Sequence, residues 1–265
     1  QRRASERCPD DIPHCPDGVI MATADGINAA TRLMEYGKRY PNGVEVSKGI
    51  AKSTIAGNIT GWTMSAILVN AEGERVVNEK ASNRTILEAE LAQTGSELFL
   101  LMDSETFNVW KTKLAAAGLT EETIDGYVAA NGTTTPVFAH GDTLEEVAAA
   151  AGVNGENLVK TVERYNGFVA AGNDEDFGRS ADYMTMAIGD GPYYLVEQKP
   201  RFATTMGGLV VNASLQVENT DGDVIPGLYA AGEVVGGVMG DDSPSGANNG
   251  WALTAGKLAA EAIAE

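Results

Sequence analysis

The segment IPGLYAAGEVVGG, residues 225–237, decides the fold of this sequence. Its first seven residues predict a strand, and Gly232 and Glu233 follow at the carboxyl end, where ligands bind in α/β sheets. A carboxylate at that place accepts hydrogen bonds from two adjacent hydroxyl groups, and glycines at 232, 236 and 237 let the backbone approach a ligand. The segment therefore predicts a site for a polyhydroxylated ligand. An ordinary glycine-rich connection between a strand and a helix is an equally good interpretation.

A closing helix is predicted over residues 248–264, behind a loop of small and acidic residues. The first amide groups of a helix have no carbonyl partner inside it, so they attract negative charge. We therefore expect the amides of Asn248, Asn249 and Gly250 to stabilise developing negative charge on a ligand.

The composition indicates a globular protein with an unusually large number of glycines. The chain has 265 residues, of which 43% are hydrophobic and 21% are charged, and it contains 31 glycines. Average usage would give roughly 19 glycines, so the excess mildly favours a cofactor site. The net charge is −18, which repels phosphate backbones, and we expect no nucleic-acid partner.

The amino-terminal segment contains Cys8, His14 and Cys15, which make an incomplete zinc set, so we expect no metal. No run of 18 apolar residues occurs, and no basic segment followed by an apolar one is visible at the start. The sequence therefore leaves the compartment open between the cytoplasm and export from a bacterial cell.

The remaining elements are predicted from periodicity and from capping residues. Helices are predicted over residues 25–36 and 85–93, and a largely helical stretch over 119–172. Within that stretch Thr143 and Glu146 form a capping box, Asn154 caps a second helix, and Gly172 ends it. Strands are predicted over 64–70, 75–78, 98–102, 207–217 and 225–231, with a hairpin turn at Asp221 and Gly222. The polar, glycine-rich residues 41–61 are left without an assigned element.

Two motifs together closely resemble the carboxyl-terminal flavin-binding segment of the fumarate reductase and succinate dehydrogenase flavoprotein family. They are the run Thr205-Met206-Gly207-Gly208 and the segment 225–237. Shorter segments that resemble the soluble flavocytochrome-like branch are Ala24-Asp25-Gly26, Asn78-Glu79, 162–166 and 192–194. The resemblance covers most of the chain from about Thr23 onward.

The resemblance implies a mixed α+β and α/β fold, with a capping domain inserted into the carboxyl-terminal portion of a Rossmann-like FAD-binding domain. Residues 1–45 and 204–265 would belong to the FAD domain, and residues 46–203 would form the cap. In the family this cap closes over the flavin and traps the substrate against the isoalloxazine ring.

The resemblance also implies FAD as cofactor and assigns roles to individual residues. Glu233 would hold the ribityl chain, and the helix start at Asn248 and Asn249 would face the pyrimidine edge of the flavin, where it would stabilise the anionic reduced form. The complete implied cofactor set is Asp25, Thr205, Met206, Gly207, Gly208, Gly232, Glu233, Gly237, Gly246, Asn248 and Asn249.

One departure from the family concerns the dinucleotide fingerprint Gly-x-Gly-x-x-Gly, which is absent. The single Gly-x-Gly, Gly189 and Gly191, has Tyr194 where the third glycine belongs. We therefore expect a dinucleotide-binding amino-terminal portion outside this chain, whether cleaved, separate or removed.

A second departure concerns the substrate. Ala203 and Thr204 stand where the fumarate reductases carry histidine, and the loop between Gly240 and Gly246 has two aspartates and no arginine to clamp a carboxylate. Ser243 stands where the ketosteroid dehydrogenase branch uses a tyrosine. The resemblance thus argues against fumarate and favours a neutral or cationic enone or acrylate-like substrate. The candidate substrate-binding residues are Trp62, Thr204, Asp242, Ser243 and Ser245, although core packing explains Trp62 equally well.

The proton donor of the family falls at Asn83, and Arg84 follows directly. Arg84 is therefore the candidate catalytic residue, with a solvated arginine at a helix terminus as the alternative.

The predicted function is FAD-dependent reduction of an activated carbon–carbon double bond in a substrate other than a dicarboxylate. Hydride would come from flavin N5, and an external electron donor is needed, because no Cys-x-x-Cys-His haem motif and no nicotinamide fingerprint occur. The alternatives are a dehydrogenase that desaturates a ring substrate, as the ketosteroid dehydrogenases do, and a non-catalytic flavoprotein fragment.

Overall fold

The computed structural model describes residues 19, 22–23, 27–240, 243 and 246–264. The chain divides into two compact units. Unit 1 is Gln1–Arg39 together with Phe202–Glu265, and unit 2 is Tyr40–Arg201. The domain boundaries predicted from the sequence lie at 45/46 and 203/204, and the assignment of FAD-binding and capping roles to the two segments stays a prediction.

The described residues combine helices and strands. The strands, in chain order, are β1 (Thr31–Arg32), β2 (Gly37–Ser47), β3 (Ile50–Ser53), β4 (Ile67–Val69), β5 (Leu98–Asp103), β6 (Phe138–Gly141), β7 (Tyr193–Thr205), β8 (Gly208–Leu209), β9 (Gln216–Glu218) and β10 (Val224–Tyr229). The α-helices are α1 (Ile55–Gly61), α2 (Asn83–Leu91), α3 (Ser104–Lys111), α4 (Glu121–Ala130), α5 (Leu144–Ala151), α6 (Gly155–Ala171) and α7 (Ala247–Ala264). Across the described ranges, none of these helices is both long and apolar enough to cross a bilayer.

A six-stranded sheet organises unit 2, in the order β3-β2-β7-β5-β4, with β6 also paired to β7. All six residues of β5 are buried. Because side chains alternate along a strand, Leu98, Leu100 and Met102 pack into one apolar cluster, while Phe99 and Leu101 pack into a second. The predicted buried strand over 98–102 is confirmed, and its two faces contribute to the two large apolar clusters of this unit.

The predicted helix caps of α5 and α6 are confirmed. Thr143 Oγ1 accepts the amide of Glu146 at 3.2 Å, and Glu146 Oε2 accepts the amide of Asp142 at 2.9 Å. Asn154 Oδ1 accepts the amide of Asn157 at 3.1 Å. Gly172 ends α6 with a φ of 64°, in the left-handed region that favours glycine.

The helical prediction for residues 119–172 missed β6, which lies between α4 and α5. This strand has four residues and pairs antiparallel with β7, Phe138 opposite Val196. A segment of four residues is too short to show a periodicity that distinguishes a strand from a helix.

The helix predicted over 25–36 is wrong within the described residues. Residues 31 and 32 form β1, which pairs antiparallel with β8, and Leu33 has a φ of 55°. The apolar face that favoured a helix is not buried, since Ile27 and Met34 are 40% and 50% exposed. The amide of Ala30 bonds the carbonyl of Glu218 instead, so a long-range ladder overrides the local pattern.

Residues 41–61, which the sequence left unassigned, are ordered into most of β2, the strand β3 and the helix α1. The β2–β3 hairpin turns at Gly49, whose φ is 81°. The periodicity of this segment is weak because its strands are rich in glycine and polar residues. Sheet pairing stabilises them, since β2 lies beside β7 and β3 pairs with β2.

Unit 1 contains the hairpin of β9 and β10, which turns at the predicted Asp221 and Gly222, and Gly222 has a φ of 88°. The strand predicted over 207–217 is interrupted, because Leu215 takes a φ of 62° and its amide bonds the carbonyl of Asn212. Val217 and Ala255 are fully buried in two small apolar clusters of this unit.

Candidate functional site

A shallow cleft of about 30 Å³ lies in unit 1 beside the glycine-rich turn. Five residues predicted to bind the cofactor line it: Thr205, Met206, Gly232, Glu233 and Asn248. Four further lining residues, Val235, Val238, Met239 and Trp251, were missed by the sequence analysis. Residues from the end of β7, from the turn after β10 and from the start of α7 therefore meet in one place.

The turn after β10 presents Glu233. Gly232 has a φ of 78° and begins a single 3₁₀ turn that ends at Val234. The indole Nε1–H of Trp251 donates to the carbonyl of Gly232 at 3.0 Å, so α7 holds the turn in position. Glu233 is exposed at this turn, as expected of a carboxylate that meets a ligand.

Thr204 was predicted to contact the substrate. It lies beside Glu233, the residue predicted to hold the ribityl chain of the flavin. The Thr204 hydroxyl donates a hydrogen bond to Glu233 Oε1. Oε2 of Glu233 has no hydrogen-bond partner among the described residues, so one carboxylate oxygen remains available to a ligand hydroxyl. Thr204 thus orients Glu233.

The glycines next to this turn have a packing role. A Cβ on Gly208 would overlap the carbonyl oxygen of Val234, and one on Gly236 would overlap the backbone of Gly208. The two chain segments approach too closely for any larger residue. Contact with a ligand is therefore not needed to explain Gly208 and Gly236.

Arg32 is a residue of this region that the sequence analysis missed. Its Nε–H donates to the carbonyl of Gly236 at 2.7 Å, and its guanidinium lies against Gly237. No signal in the sequence indicated this contact, since Arg32 was assigned to a helix and lies 204 positions from Gly236.

The start of α7 lies at the cleft. Asn248 is half-buried and lines it, whereas Asn249 is exposed. The amide of Gly250 donates to the carbonyl of Gly246, so the prediction that all three first amides stay free is wrong for Gly250. Only the earlier amides of the helix remain to stabilise negative charge.

Two further predicted residues precede α7, and they differ in burial. Gly246 has a φ of 83° and is exposed, and Ser243 is buried, with 6% of its surface exposed. Asp25, Asp242 and Ser245 lie outside the described residues.

Trp62 lies in the core of unit 2. It is 4% exposed, follows α1 directly, and packs in the same apolar cluster as Trp110. Its carbonyl accepts a hydrogen bond from Arg179 Nη2 at 2.7 Å. The alternative interpretation, core packing, accounts for Trp62.

Arg84 occupies the first turn of α2. Its side chain is 61% exposed, and its Nε lies 3.4 Å from Glu88 Oε1, one helical turn further on. This geometry is that of a solvated arginine at a helix terminus, which was the alternative interpretation of Arg84. A role of Arg84 as proton donor stays a prediction.

A buried cluster of four charges, which the sequence analysis missed, lies in unit 2. Arg75 donates to Glu79 at 2.8 Å and to Asp174 at 3.1 Å. Arg179 Nη1 donates to the same Glu79 oxygen at 3.2 Å and to the carbonyl of Ala66 at 3.0 Å. The side chains of the cluster are at most 4% exposed, and Glu79 and Asp174 balance the two arginines. This cluster crosslinks segments about 100 positions apart.

The larger described cavity, about 500 Å³, lies on unit 2 against α6. None of the predicted site residues lines it. In the part of the chain that the structure describes, no group of histidine, cysteine, aspartate and glutamate side chains is arranged to hold a metal ion.

We compared the sequence of this chain with protein families and with known proteins, and both comparisons find flavoproteins. Residues 17–249 match the family described as FAD binding domain. The chain is 34% identical over 249 residues to the fumarate reductase (cytochrome) of Shewanella frigidimarina, covering 94% of this chain and 39% of that protein. It is 35% identical over 231 residues to the urocanate reductase of Eggerthella lenta, covering 87% of this chain and 35% of that protein.

A solved structure of 3-ketosteroid Δ1-dehydrogenase from Sterolibacterium denitrificans superimposes with a TM-score of 0.70 at 25% identity, covering 94% of this chain and 47% of that one. The chain spans between about a third and a half of the length of these proteins. FAD is the cofactor of the matching family. The chain belongs to the FAD-binding-domain family, among the flavoproteins of the fumarate reductase type.

Proposed function

We propose that this chain works in an FAD-dependent oxidoreductase that reduces an activated carbon–carbon double bond in a substrate other than a dicarboxylate. The observation that carries the proposal is the cleft in unit 1. Thr205, Glu233 and Asn248 line this cleft, and they come from the segments that resemble the family's flavin-binding motifs. Two relatives of the chain are named reductases, of fumarate and of urocanate.

The residues at the cleft fit part of an FAD molecule. The exposed carboxylate of Glu233 is suited to accept hydrogen bonds from ribityl hydroxyls, and Thr204 orients it. The first amides of α7 at Asn248 are suited to stabilise negative charge on the flavin. When bound, FAD supplies the atom that carries hydride to or from the substrate.

The cleft in unit 1 is too small to hold the whole FAD molecule. A cleft of about 30 Å³ holds roughly one water molecule, so a flavin ring would lie along it rather than inside it. Three apolar residues of α7, Leu253, Leu258 and Ile263, are 79%, 48% and 61% exposed and point to different sides of the helix. We infer that a dinucleotide-binding portion covers part of this exposed apolar surface and completes the FAD site.

The substrate class follows from what stands at the family's substrate positions. Ala203 and Thr204 carry no positive charge, and Thr204 is engaged with Glu233. A dicarboxylate needs a cationic partner for each carboxylate, and these positions supply none. The carbon–carbon double bond of an enone or of an acrylate-like compound undergoes the same reduction, and the enone needs no cationic partner whereas the acrylate-like compound needs only one. Electrons reach the flavin from an external donor.

A second candidate is the reverse reaction, desaturation of a ring substrate with transfer of electrons to an acceptor. The similarity of this chain to a ketosteroid dehydrogenase structure favours it. The two reactions differ in whether reduced flavin is consumed or formed when the substrate is added.

The first test is the visible absorption spectrum of the protein isolated from its native source without denaturation. We expect the two flavin absorption bands. After anaerobic reduction, an acrylate or enone should reoxidise the flavin, and fumarate should not. A colourless protein that stays colourless with added FAD would contradict the flavoprotein proposal, and rapid reoxidation by fumarate would contradict the substrate class.

The variant Glu233→Gln tests the cleft in the same holoprotein. We expect the affinity for FAD to fall about tenfold, because the charged acceptor for a ribityl hydroxyl is lost. The matched control is Glu156→Gln, an exposed glutamate of α6 that pairs with Lys160 and lies outside the cleft. Equal FAD affinity in the Glu233→Gln protein and in the control would exclude Glu233 from cofactor binding.

A further inference from the structure

Arg201, near the end of β7 in unit 2, has an unusual environment for a charged side chain. Its guanidinium carbon lies 4.8 Å from the ring centroid of Tyr40. Its Nε is buried, and this donor has no acceptor among the described residues. A buried N–H group without an acceptor is rare in native proteins and costs free energy until an acceptor arrives.

The other arginines of unit 2 show the contrast. The unit has five arginines, and four of them have a carboxylate within 4 Å in the described structure. These are Arg75 at 2.8 Å, Arg84 at 3.4 Å, Arg164 at 2.6 Å and Arg179 at 3.2 Å. In a chain with a net charge of −18, an arginine without a carboxylate partner needs a specific explanation.

The electrostatics of Arg201 agree with its geometry. Burial lowers the pKa of Arg201 below its ordinary value, and the neighbouring Tyr40 partly opposes this effect. No aspartate or glutamate of the described residues contributes. The guanidinium remains charged at neutral pH, because the ordinary pKa of arginine is far above it.

We propose that Arg201 is a specificity-determining residue that binds the single carboxylate of a small, conjugated monocarboxylate substrate. A guanidinium stacked on an aromatic ring is held in orientation and presents its N–H groups in plane, as a planar carboxylate requires. A single arginine matches a single carboxylate, whereas a dicarboxylate would need a second clamp. The inference rests on the proposed function and narrows its substrate class.

The position of Arg201 along the chain agrees with this role. It lies three residues before Thr204 on the same strand, and Thr204 bonds Glu233. The family's histidine positions, Ala203 and Thr204, follow directly on this strand. The cation that the substrate needs would thus come from an earlier position of the strand.

The test uses the complete 265-residue chain and two probes of nearly the same shape, acrylate and acrylamide, with chloride as a third probe that carries charge alone. The ¹⁵Nε–¹Hε resonance of Arg201 is followed in a chain with labelled arginine. It is assigned through its disappearance in Arg201→Lys. We expect acrylate to shift this resonance to saturation, while acrylamide leaves it unchanged at the same concentration. The Nε resonance of Arg164, already bonded to Asp176, serves as the internal control and should not move.

Variants then separate the charge from the planar donor set. Arg201→Lys keeps the positive charge but loses the planar set of guanidinium N–H donors. We expect acrylate to bind about tenfold more weakly to this variant, as measured by calorimetry. Arg201→Gln should abolish binding, whereas Arg164→Gln should bind as the unmodified chain does. Dispersed amide spectra establish that each variant is folded. The titration of the unmodified chain tests the proposal even where a variant fails to fold.

Three results would overturn the inference. They are an equal response to acrylate and acrylamide, an equal response to chloride and acrylate, and a resonance that never moves. This test needs no flavin, so its outcome is distinct from that of the proposed function. A chain that binds acrylate at Arg201 but never carries FAD would defeat the proposed function alone. A flavoprotein whose Arg201 ignores acrylate would defeat this inference alone.

Discussion

Glu90 is a buried carboxyl group without a hydrogen-bond partner among the described residues. It lies in α2 and is fully buried. Burial raises the pKa of Glu90 to about 9, and the charge of Glu97 adds to the shift. The side chain is therefore protonated and neutral in the folded protein at neutral pH.

This shift predicts how stability changes with pH. The folded-state pKa lies above the unfolded value of 4.5, so the contribution of Glu90 to stability is fully present below pH 4.5. It is lost progressively as the pH rises from 4.5 to about 9. We expect Glu90→Gln to stabilise the protein by about 1–3 kcal/mol at pH 8 and to change little at pH 4.5. Urea unfolding across this range measures the difference, and parallel pH profiles for the two proteins would refute the argument.

Substitution in the buried charge cluster should lower stability, in contrast to Glu90→Gln, because each charge of the cluster has a partner of opposite charge. Arg179 bonds Glu79, the carbonyl of Ala66 and the carbonyl of Trp62 from a fully buried position. We expect Arg179→Met to destabilise the protein by about 3–5 kcal/mol, since it leaves carboxylate charge buried without compensation. The matched control is Arg164→Gln, which removes an exposed ion pair with Asp176 and should cost much less. Equal losses measured by urea unfolding would argue against a structural role for the cluster.

At the scale of elements, α6 depends on its amino-terminal cap. Asn154 Oδ1 accepts the amide of Asn157, and the helix packs Leu158, Val162, Tyr165 and Phe168 against the sheet of unit 2. We expect Asn154→Ala to lower stability by about 1 kcal/mol and Asn154→Asp to preserve it, because aspartate caps equally well. Urea midpoints of the two variants check this. A loss shared by both variants would mean that the amide group does more than cap the helix.

Elements also explain which predictions succeeded. The strand β5 and the caps at Thr143 and Asn154 are specified within a few residues, so the sequence predicts them. The helix over 25–36 failed because its residues form a ladder with β8 and with Glu218, almost two hundred positions away. A local apolar pattern carries no information about such pairing.

At the scale of the whole molecule, the two units differ in how the chain forms them. Unit 2, Tyr40–Arg201, is continuous in sequence and contains both large apolar clusters. Unit 1 joins two distant segments and has only small clusters. We expect residues 40–201 expressed alone to fold, with dispersed amide spectra and a single cooperative unfolding transition.

The matching experiment expresses residues 202–265 alone. We expect no cooperative transition, because the pairing partner of β8, the strand β1, is then absent. A folded carboxyl-terminal fragment, or an unfolded 40–201 fragment, would contradict the division of stability between the units.

The sequence by itself determined the family, the cofactor and the residues at the turn after β10, because Gly232, Glu233 and Asn248 lie in contiguous motifs whose spacing is local. Tertiary structure decided that Thr204 orients Glu233, that Arg32 reaches Gly236 and that Trp62 is a core residue. It also decided that Arg179 pairs with Glu79, 100 positions away, while Arg201 has no carboxylate partner among the described residues. Pairing between charges depends on distance after folding, and one sequence does not specify which distant segments meet.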